Sequence, residues 1–300
     1  MRSVSLFATA GVVVFLPACD PVDCGPGTHL EGSTCVVDEA SETGDTGSAA
    51  DTADDTGGGG GEALPDTGPC APPDEWATAP VPANLLTHTA YDASYDAGLA
   101  SLSSRVSAYG GGSYSEASII SGATVVAIGR EPRWDYITRY YVADANSTYP
   151  VNVQADAQIG DKVTFATSGY EGQYGLPILD DIGSFSVSSS GNPVYAEHLG
   201  AVTSTFDSRV SQLTHEAGEL VEASAMDCGT GNTCFVFEHD GVRDRIRVPS
   251  MNSFGLDVDY DGGLCAEVLA PVGQYWDSRG VQGYFIDVAE PEWMRVWPKP

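Results

Sequence analysis

Ser121-Gly-Ala-Thr-Val-Val-Ala-Ile-Gly129, Tyr140-Tyr-Val-Ala-Asp-Ala-Asn146, Tyr149-Pro-Val-Asn-Val153, Ile159-Gly-Asp-Lys-Val-Thr-Phe165 and Gly175-Leu-Pro-Ile-Leu179 form a series that the chain repeats further on. The second copy reads Gly218-Glu-Leu-Val-Glu-Ala-Ser224, Cys234-Phe-Val-Phe-Glu-His-Asp-Gly241, Arg245-Ile-Arg-Val248, Asp261-Gly-Gly-Leu-Cys-Ala-Glu-Val268 and Val281-Gln-Gly-Tyr-Phe285. β-Branched and aromatic residues recur at period two, and Gly, Pro, Asp and Asn punctuate the runs, so each stretch reads as a short strand. The same pattern marks strands over residues 119–128, 136–142, 149–153 and 162–167. Short strands at this spacing predict a small barrel or a sandwich.

The order within each copy is a first strand, a hairpin with an Asp/Asn/Gly turn, a Gly-Asp-type turn before the next strand, and a final apolar or aromatic strand. It resembles the OB-fold over residues 115–295. That resemblance implies a mainly β chain with two small OB-like β-barrels in tandem, residues 114–197 and residues 198–300, the second preceded by a linker helix. It also implies a binding face around strands two and three and the loop joining strands one and two. A single large β-sandwich is the alternative arrangement for the same strands.

Working outward, Tyr91, Tyr95, Leu99, Leu102 and Val106 stand at spacings of three and four residues and predict an amphipathic helix over residues 90–108, stopped by Gly110-Gly111-Gly112, within an N-terminal helical segment 80–113. Residues 38–79 hold repeated Asp-Thr, five consecutive glycines and almost no large apolar side chain. Such a composition does not offset the entropy of ordering, so this stretch is expected to be a disordered acidic linker.

The first residues carry an address. Met1-Arg2, an uncharged run from Leu6 to Ala18, and Leu16-Pro17-Ala18-Cys19 fit an export signal, being too short for a membrane-spanning helix. The ending resembles the lipobox of bacterial lipoproteins, with Pro17 departing from its usual pattern. This implies a signal peptide over residues 1–18, lipidation of Cys19, and display on the cell envelope outside the cytoplasm. An ordinary secretory cleavage, with Cys19 free to join a disulfide, is the alternative. The remaining six cysteines suit an oxidising compartment. Cys24 and Cys35 flank a turn-rich decapeptide and close a small knot in residues 19–37; Cys228 and Cys234 flank Gly-Thr-Gly-Asn-Thr; Cys70 and Cys265 pair by elimination. Close Cys/His spacing of the kind that holds zinc is missing.

Net charge is −29, of which residues 80–300 contribute −16 with only twelve basic residues. Phosphate binding draws on Lys and Arg, so duplex DNA is not expected as a partner. Three constellations are candidate sites. Arg130, Arg133 and Arg139 alternate with Trp134, Tyr136, Tyr140 and Tyr141, which suits stacking of bases or sugars, although aromatics in a strand also build cores. Arg243, Arg245 and Arg247 share one strand face and suit bidentate capture of an anion, or else form a solvated face paired with acids such as Asp240 or Asp244. Asp257, Asp259 and Asp261, followed by Gly262, resemble the first half of a calcium loop; Val268 stands where the bidentate Glu belongs, so an ordinary acidic turn is the alternative.

No nucleophile elbow, His-Glu-x-x-His helix, phosphate loop or dinucleotide fingerprint is present. His215-Glu216 begins like a zinc helix, but Glu219 occupies the place of the second His, so His215 is expected to be exposed in the linker helix. The chain reads as a non-enzymatic, membrane-anchored binding module without a resident cofactor, its partner a glycan, a single-stranded oligonucleotide or an envelope protein. An accessory domain of an extracellular nuclease or phosphoesterase system, and a structural envelope protein, are the alternatives.

Overall fold

The computed structural model describes residues 28–31, 34–37, 68–74, 76, 79–106, 110–130, 137–173, 176–198, 210–223, 228, 232–249, 256, 260–276 and 282–300. The chain divides into two units, residues 1–56 and residues 57–300. In the first, β1 (Thr28–Glu31) and β2 (Thr34–Val37) pair antiparallel, with Glu31 opposite Thr34. Cys35 lies on β2, but its expected partner Cys24 and the lipidation residue Cys19 fall outside the described residues.

The second unit contains the repeat. Its strands are β3 (Leu86–Thr87), β4 (Gly110–Arg130), β5 (Thr138–Ala143), β6 (Thr148–Val153), β7 (Lys162–Gln173), β8 (Leu176–Ser189) and β9 (Val194–Tyr195), followed by β10 (Leu213–Ala223), β11 (Asn232–His239), β12 (Val242–Pro249), β13 (Leu264–Trp276), β14 (Gln282–Asp287) and β15 (Met294–Pro298). Strands β4-β5-β6-β8-β7 form a closed barrel, in which β6 and β8 run parallel and β4 pairs with both β5 and β7. Strands β10-β11-β12-β14-β13 repeat that circuit: β12 and β14 are parallel, β13 returns to β10, and β15 is added along β13. Two OB-like barrels in tandem are thus the architecture, as the repeat implied.

Alternation drives each closure. Along β7 the burial alternates from Val163 to Thr167, sending Val163 and Phe165 inward among Ile120, Val125, Tyr140, Val142, Val151 and Leu179. One strand serves two neighbours because β4 is interrupted by register shifts near Ser121 and Val125, with Gly122 at φ +78°. Such bulges bend and coil a strand enough to turn a barrel corner. In the second barrel the hairpin between β11 and β12 turns on Asp240 and Gly241, both at positive φ, the conformation of a two-residue type I′ turn.

The expected helix over residues 90–108 is corrected to a single 3-10 turn, Leu99–Leu102. The Asp and Ser residues of this segment spend its amides locally: Ser94 N–H donates to Asp92 Oδ1 at 2.8 Å and Gly98 N–H to Asp96 Oδ1 at 2.7 Å. Ala97 and Leu99 then donate to Asp144 Oδ2, both at 3.1 Å, while Asp144 Oδ1 accepts from Asn146 and Ser147 at 2.9 Å. A carboxylate in a barrel turn thereby outcompetes the helix for its own N–H groups. The apolar residues of the segment are used nonetheless, since Leu99 and Leu102 are fully buried in the core of the first barrel. The expected linker helix is corrected as far as it is described: residues 210–211 are turn, and strand begins at Leu213.

Two disulfides fix the second unit. Cys70 bonds Cys265, 195 residues away, and Cys228 bonds Cys234 before β11 is fully under way. Because Asp144 is 5% exposed and accepts four amides, Asp144→Ala leaves buried donors unmatched, each costing about 1–3 kcal/mol. We expect a loss of at least about 3 kcal/mol in urea unfolding with an unchanged slope, and a much smaller loss for Asp92→Ala, whose acceptor role is at the surface.

Candidate functional site

Strand β12 alternates as its sequence requires: Val242, Asp244, Ile246 and Val248 are buried, and Arg243, Arg245 and Arg247 share the outer face. The three arginines then part company. Arg247 donates through Nε and Nη2 to Asp287 at 3.0 and 2.7 Å, and its guanidinium lies 4.0 Å from the Phe285 ring centre. The Phe285 ring lies against Gly273, where any side chain would strike it. Arg247 is therefore held within the protein. Arg243 faces Glu238 at 3.3 Å with 60% of its side chain exposed, a surface pair worth about 0–1 kcal/mol and readily exchanged. Arg245 stands opposite Val236, half-buried and without an ion pair among the described residues. The partners of the ladder are thus Glu238 and Asp287, not Asp240 or Asp244.

Of the stretch 130–141, Arg139, Tyr140 and Tyr141 are buried. Arg139 is 8% exposed; its Nε donates to Asn152 Oδ1 at 3.1 Å and its Nη2 to Gln173 Oε1 at 3.0 Å. Tyr140 points into the first barrel and donates to the Ala155 carbonyl at 2.7 Å. Tyr141, with Ala143, Val126 and Ala127, joins the hydrophobic cluster of the second barrel, so the outer side of β5 is the seam between barrels. Arg130 ends β4, while Arg133, Trp134 and Tyr136 lie outside the described residues. Asp261 is exposed before β13; Asp257 and Asp259 lie outside the described residues.

Histidines far apart in sequence meet on β10. His215, expected to be exposed on a helix, is buried on this strand: its Nε2 bonds Glu267 Oε1 at 2.8 Å and its Nδ1 bonds His88 Nε2 at 3.0 Å. The His198 ring lies 4.3 Å from that of His88, and Arg295 Nε donates to Glu267 Oε2 at 2.6 Å. Strand alternation sends the next residue, Glu216, to the opposite face and into the second barrel, beside His239. His239 Nε2 bonds Asp244 Oδ2 at 2.9 Å, and Glu216 Oε2 lies 3.3 Å from its Nδ1. Burial opposes a charge here, but the Asp244 and Glu216 carboxylates push the imidazole up to about 9.

No spacing rule finds the first cluster, which joins residues 127 positions apart. The parity of Phe235, Phe237 and His239 does place His239 on the core face of its strand. Sequence reading also missed an aromatic platform on the first barrel. Tyr114 and Tyr170 stack at 5.9 Å, Arg105 sits 5.7 Å from the Tyr114 ring centre and donates to Ser118 Oγ at 2.8 Å, and Gly112 leaves room for Tyr170.

No protein-family model matches the chain, and no curated protein matches it. Among solved structures, the chain is similar to the tetrameric p202 HIN2 structure (14% identity, 64% of this chain and 96% of that one, TM-score 0.34). It is also similar to a murine DNA-binding protein bound with double-stranded DNA (10% identity, 60% and 98%, TM-score 0.35) and to the Ifi202 HINa domain in complex with 20-base-pair duplex DNA (8% identity, 63% and 99%, TM-score 0.30). The expectation that duplex DNA is not a partner is corrected on this finding, since similar structures are solved on duplex DNA. Net charge sums the whole surface, whereas a ligand meets one face.

The seam offers a measurement of its own. Burial, then the nearby charge of Asp287, pushes the Tyr141 phenol up to about 12 from 10. The neutral phenol is favoured in the folded state, so its contribution is complete below pH 10 and is lost as pH rises through 12. Alkaline unfolding followed by phenolate absorbance is expected to show wild type losing stability over this window more steeply than Tyr141→Phe.

Proposed function

We propose that this chain is a lipid-anchored, extracytoplasmic and non-catalytic binding protein whose paired barrels take a glycan, an oligonucleotide or a protein partner on the β11–β12 face. The observation that carries the reading is an asymmetry between the copies. Strands two and three are the face that OB-type barrels use for ligands. In the first barrel the strand-two residues Tyr141 and Ala143 of that face are covered by the seam, whereas in the second barrel the same face presents Val236, Glu238, Arg243 and Arg245. Arg243 and Arg245 are the cations on that face not committed to a bidentate pair, and they suit carboxylate, sulfate or phosphate groups.

The lipobox-like Leu16-Pro17-Ala18-Cys19 supports anchoring, and the two disulfides suit an oxidising compartment. The non-catalytic reading rests on the missing catalytic motifs in the sequence. Of the expected linker 38–79, the stretch ahead of Gly68 serves as the tether between anchor and barrels, because its C-terminal end belongs to the second unit: Cys70 is bonded to Cys265, Arg295 bonds Asp74, and Trp76 packs on the core of the second barrel.

Binding of the mature chain to arrays of glycans and of single- and double-stranded oligonucleotides, at low and high salt, tests the face. A salt-sensitive ligand that weakens roughly tenfold or more in Arg243→Ala/Arg245→Ala is the expected result. A ligand bound equally well by that double variant removes β11–β12 as the site. For the anchor, Cys19→Ser is expected to abolish incorporation of a labelled fatty acid and to release the protein from membranes; unchanged membrane retention would overturn lipidation.

A further inference from the structure

At one end of the second barrel the side chains of Glu216, His239 and Asp240 converge. We propose that Glu216, His239 and Asp240 form a binding site for a divalent metal ion of the zinc type.

The three residues come from β10, the end of β11 and the β11–β12 turn, and their ligand atoms lie within 4.8 Å of one another. His239 is the pivot. Its side chain is fully buried, yet Nδ1 makes no hydrogen bond; it faces Glu216 Oε2 at 3.3 Å and Asp240 Oδ2 at 4.0 Å. Bonds of about 2.0–2.1 Å at tetrahedral angles place two ligand atoms about 3.3 Å apart. The Nδ1 to Glu216 separation already has that value, and Asp240, exposed on a tight turn, stands 4.0 Å from Nδ1 and closes on it by a side-chain shift of under about 1 Å.

The surrounding bonds orient each donor. His239 Nε2 bonds Asp244 Oδ2 at 2.9 Å, which fixes the ring and leaves Nδ1 toward the carboxylates. A carboxylate behind a metal-bound imidazole does the same in known metal sites and raises the basicity of the ligand. Thr214 Oγ1 donates to Glu216 Oε1 at 2.9 Å, turning Oε2 toward the imidazole. Gly218 matters here too: a side chain at that position would collide with the Glu238 carbonyl and His239 Cβ, so glycine lets β10 approach the end of β11. One imidazole nitrogen with two carboxylate oxygens suits zinc and its neighbours, whereas calcium and magnesium take oxygen alone. Asp240 is the solvent-facing member and gives the ion its entrance.

The test uses the full chain, stripped with a chelator and then titrated with Zn²⁺ against a chromophoric competitor, together with Asp240→Asn, Glu216→Gln and His88→Gln. Near-ultraviolet circular dichroism confirms that each variant is folded. The expected result is one stoichiometric equivalent, weakened roughly tenfold or more by Asp240→Asn and by Glu216→Gln and unchanged by His88→Gln. Absence of a stoichiometric equivalent in the wild type, or equal affinity in Asp240→Asn, overturns the site. Asp240→Asn carries the decision, because it changes an exposed turn residue and leaves the buried pair intact. Ca²⁺ used as the sole probe is expected not to bind at this site; Ca²⁺ binding that is lost in Asp240→Asn would overturn the assignment to a zinc-type ion.

Discussion

Each barrel depends on one parallel pairing. When β8 returns beside β6, and β14 beside β12, the sheet has no free edge left within the ring, and the strand between them must cross over to reach the first strand. Closure creates a narrow interior that takes alternate residues of every strand, and an outer surface that meets either solvent or the other barrel. The interior of the first barrel is capped by Leu99 and Leu102 because Asp144 holds their segment across its end.

The outer surfaces then divide the labour between the copies. In the seam, aromatic rings lie against glycines: Tyr141 against Gly129, and Phe285 against Gly273. Charge enters the seam in compensated form at Arg247, which is forked onto Asp287 close to Tyr141. A bidentate pair with an aromatic face beneath it meets the demand that buried charges be partnered. The same arginine on an open face would have been a ligand contact, and burial alone separates the two roles.

That distinction explains how much of the molecule is legible in its sequence. The strands and the order of their pairing are readable because period two and turn chemistry are local, and the repeat doubles the signal. The type I′ turn at Asp240-Gly241 is readable for the same reason. The helix over residues 90–108 misleads because its apolar spacing is real, while the carboxylate that claims its amides sits more than forty residues away at Asp144. Arg243, Arg245 and Arg247 are correctly placed on one face by parity, yet only the fold reveals that Asp287 takes the third. His88, His198 and His215 carry no mutual spacing, so their meeting on β10 belongs to tertiary structure alone.

The bond between Cys70 and Cys265 also fixes how the molecule carries load. Every residue of the first barrel lies between these two cysteines, and Cys265 sits on β13, a strand that is paired with β10, β14 and β15. A pull on the chain ahead of Cys70 passes through the sulfur bridge directly into the middle of the second barrel's sheet. The first barrel hangs on a covalent loop outside that line of force, so tension on the chain ahead of Cys70 reaches it only through the seam, and its own strands are never drawn out end to end.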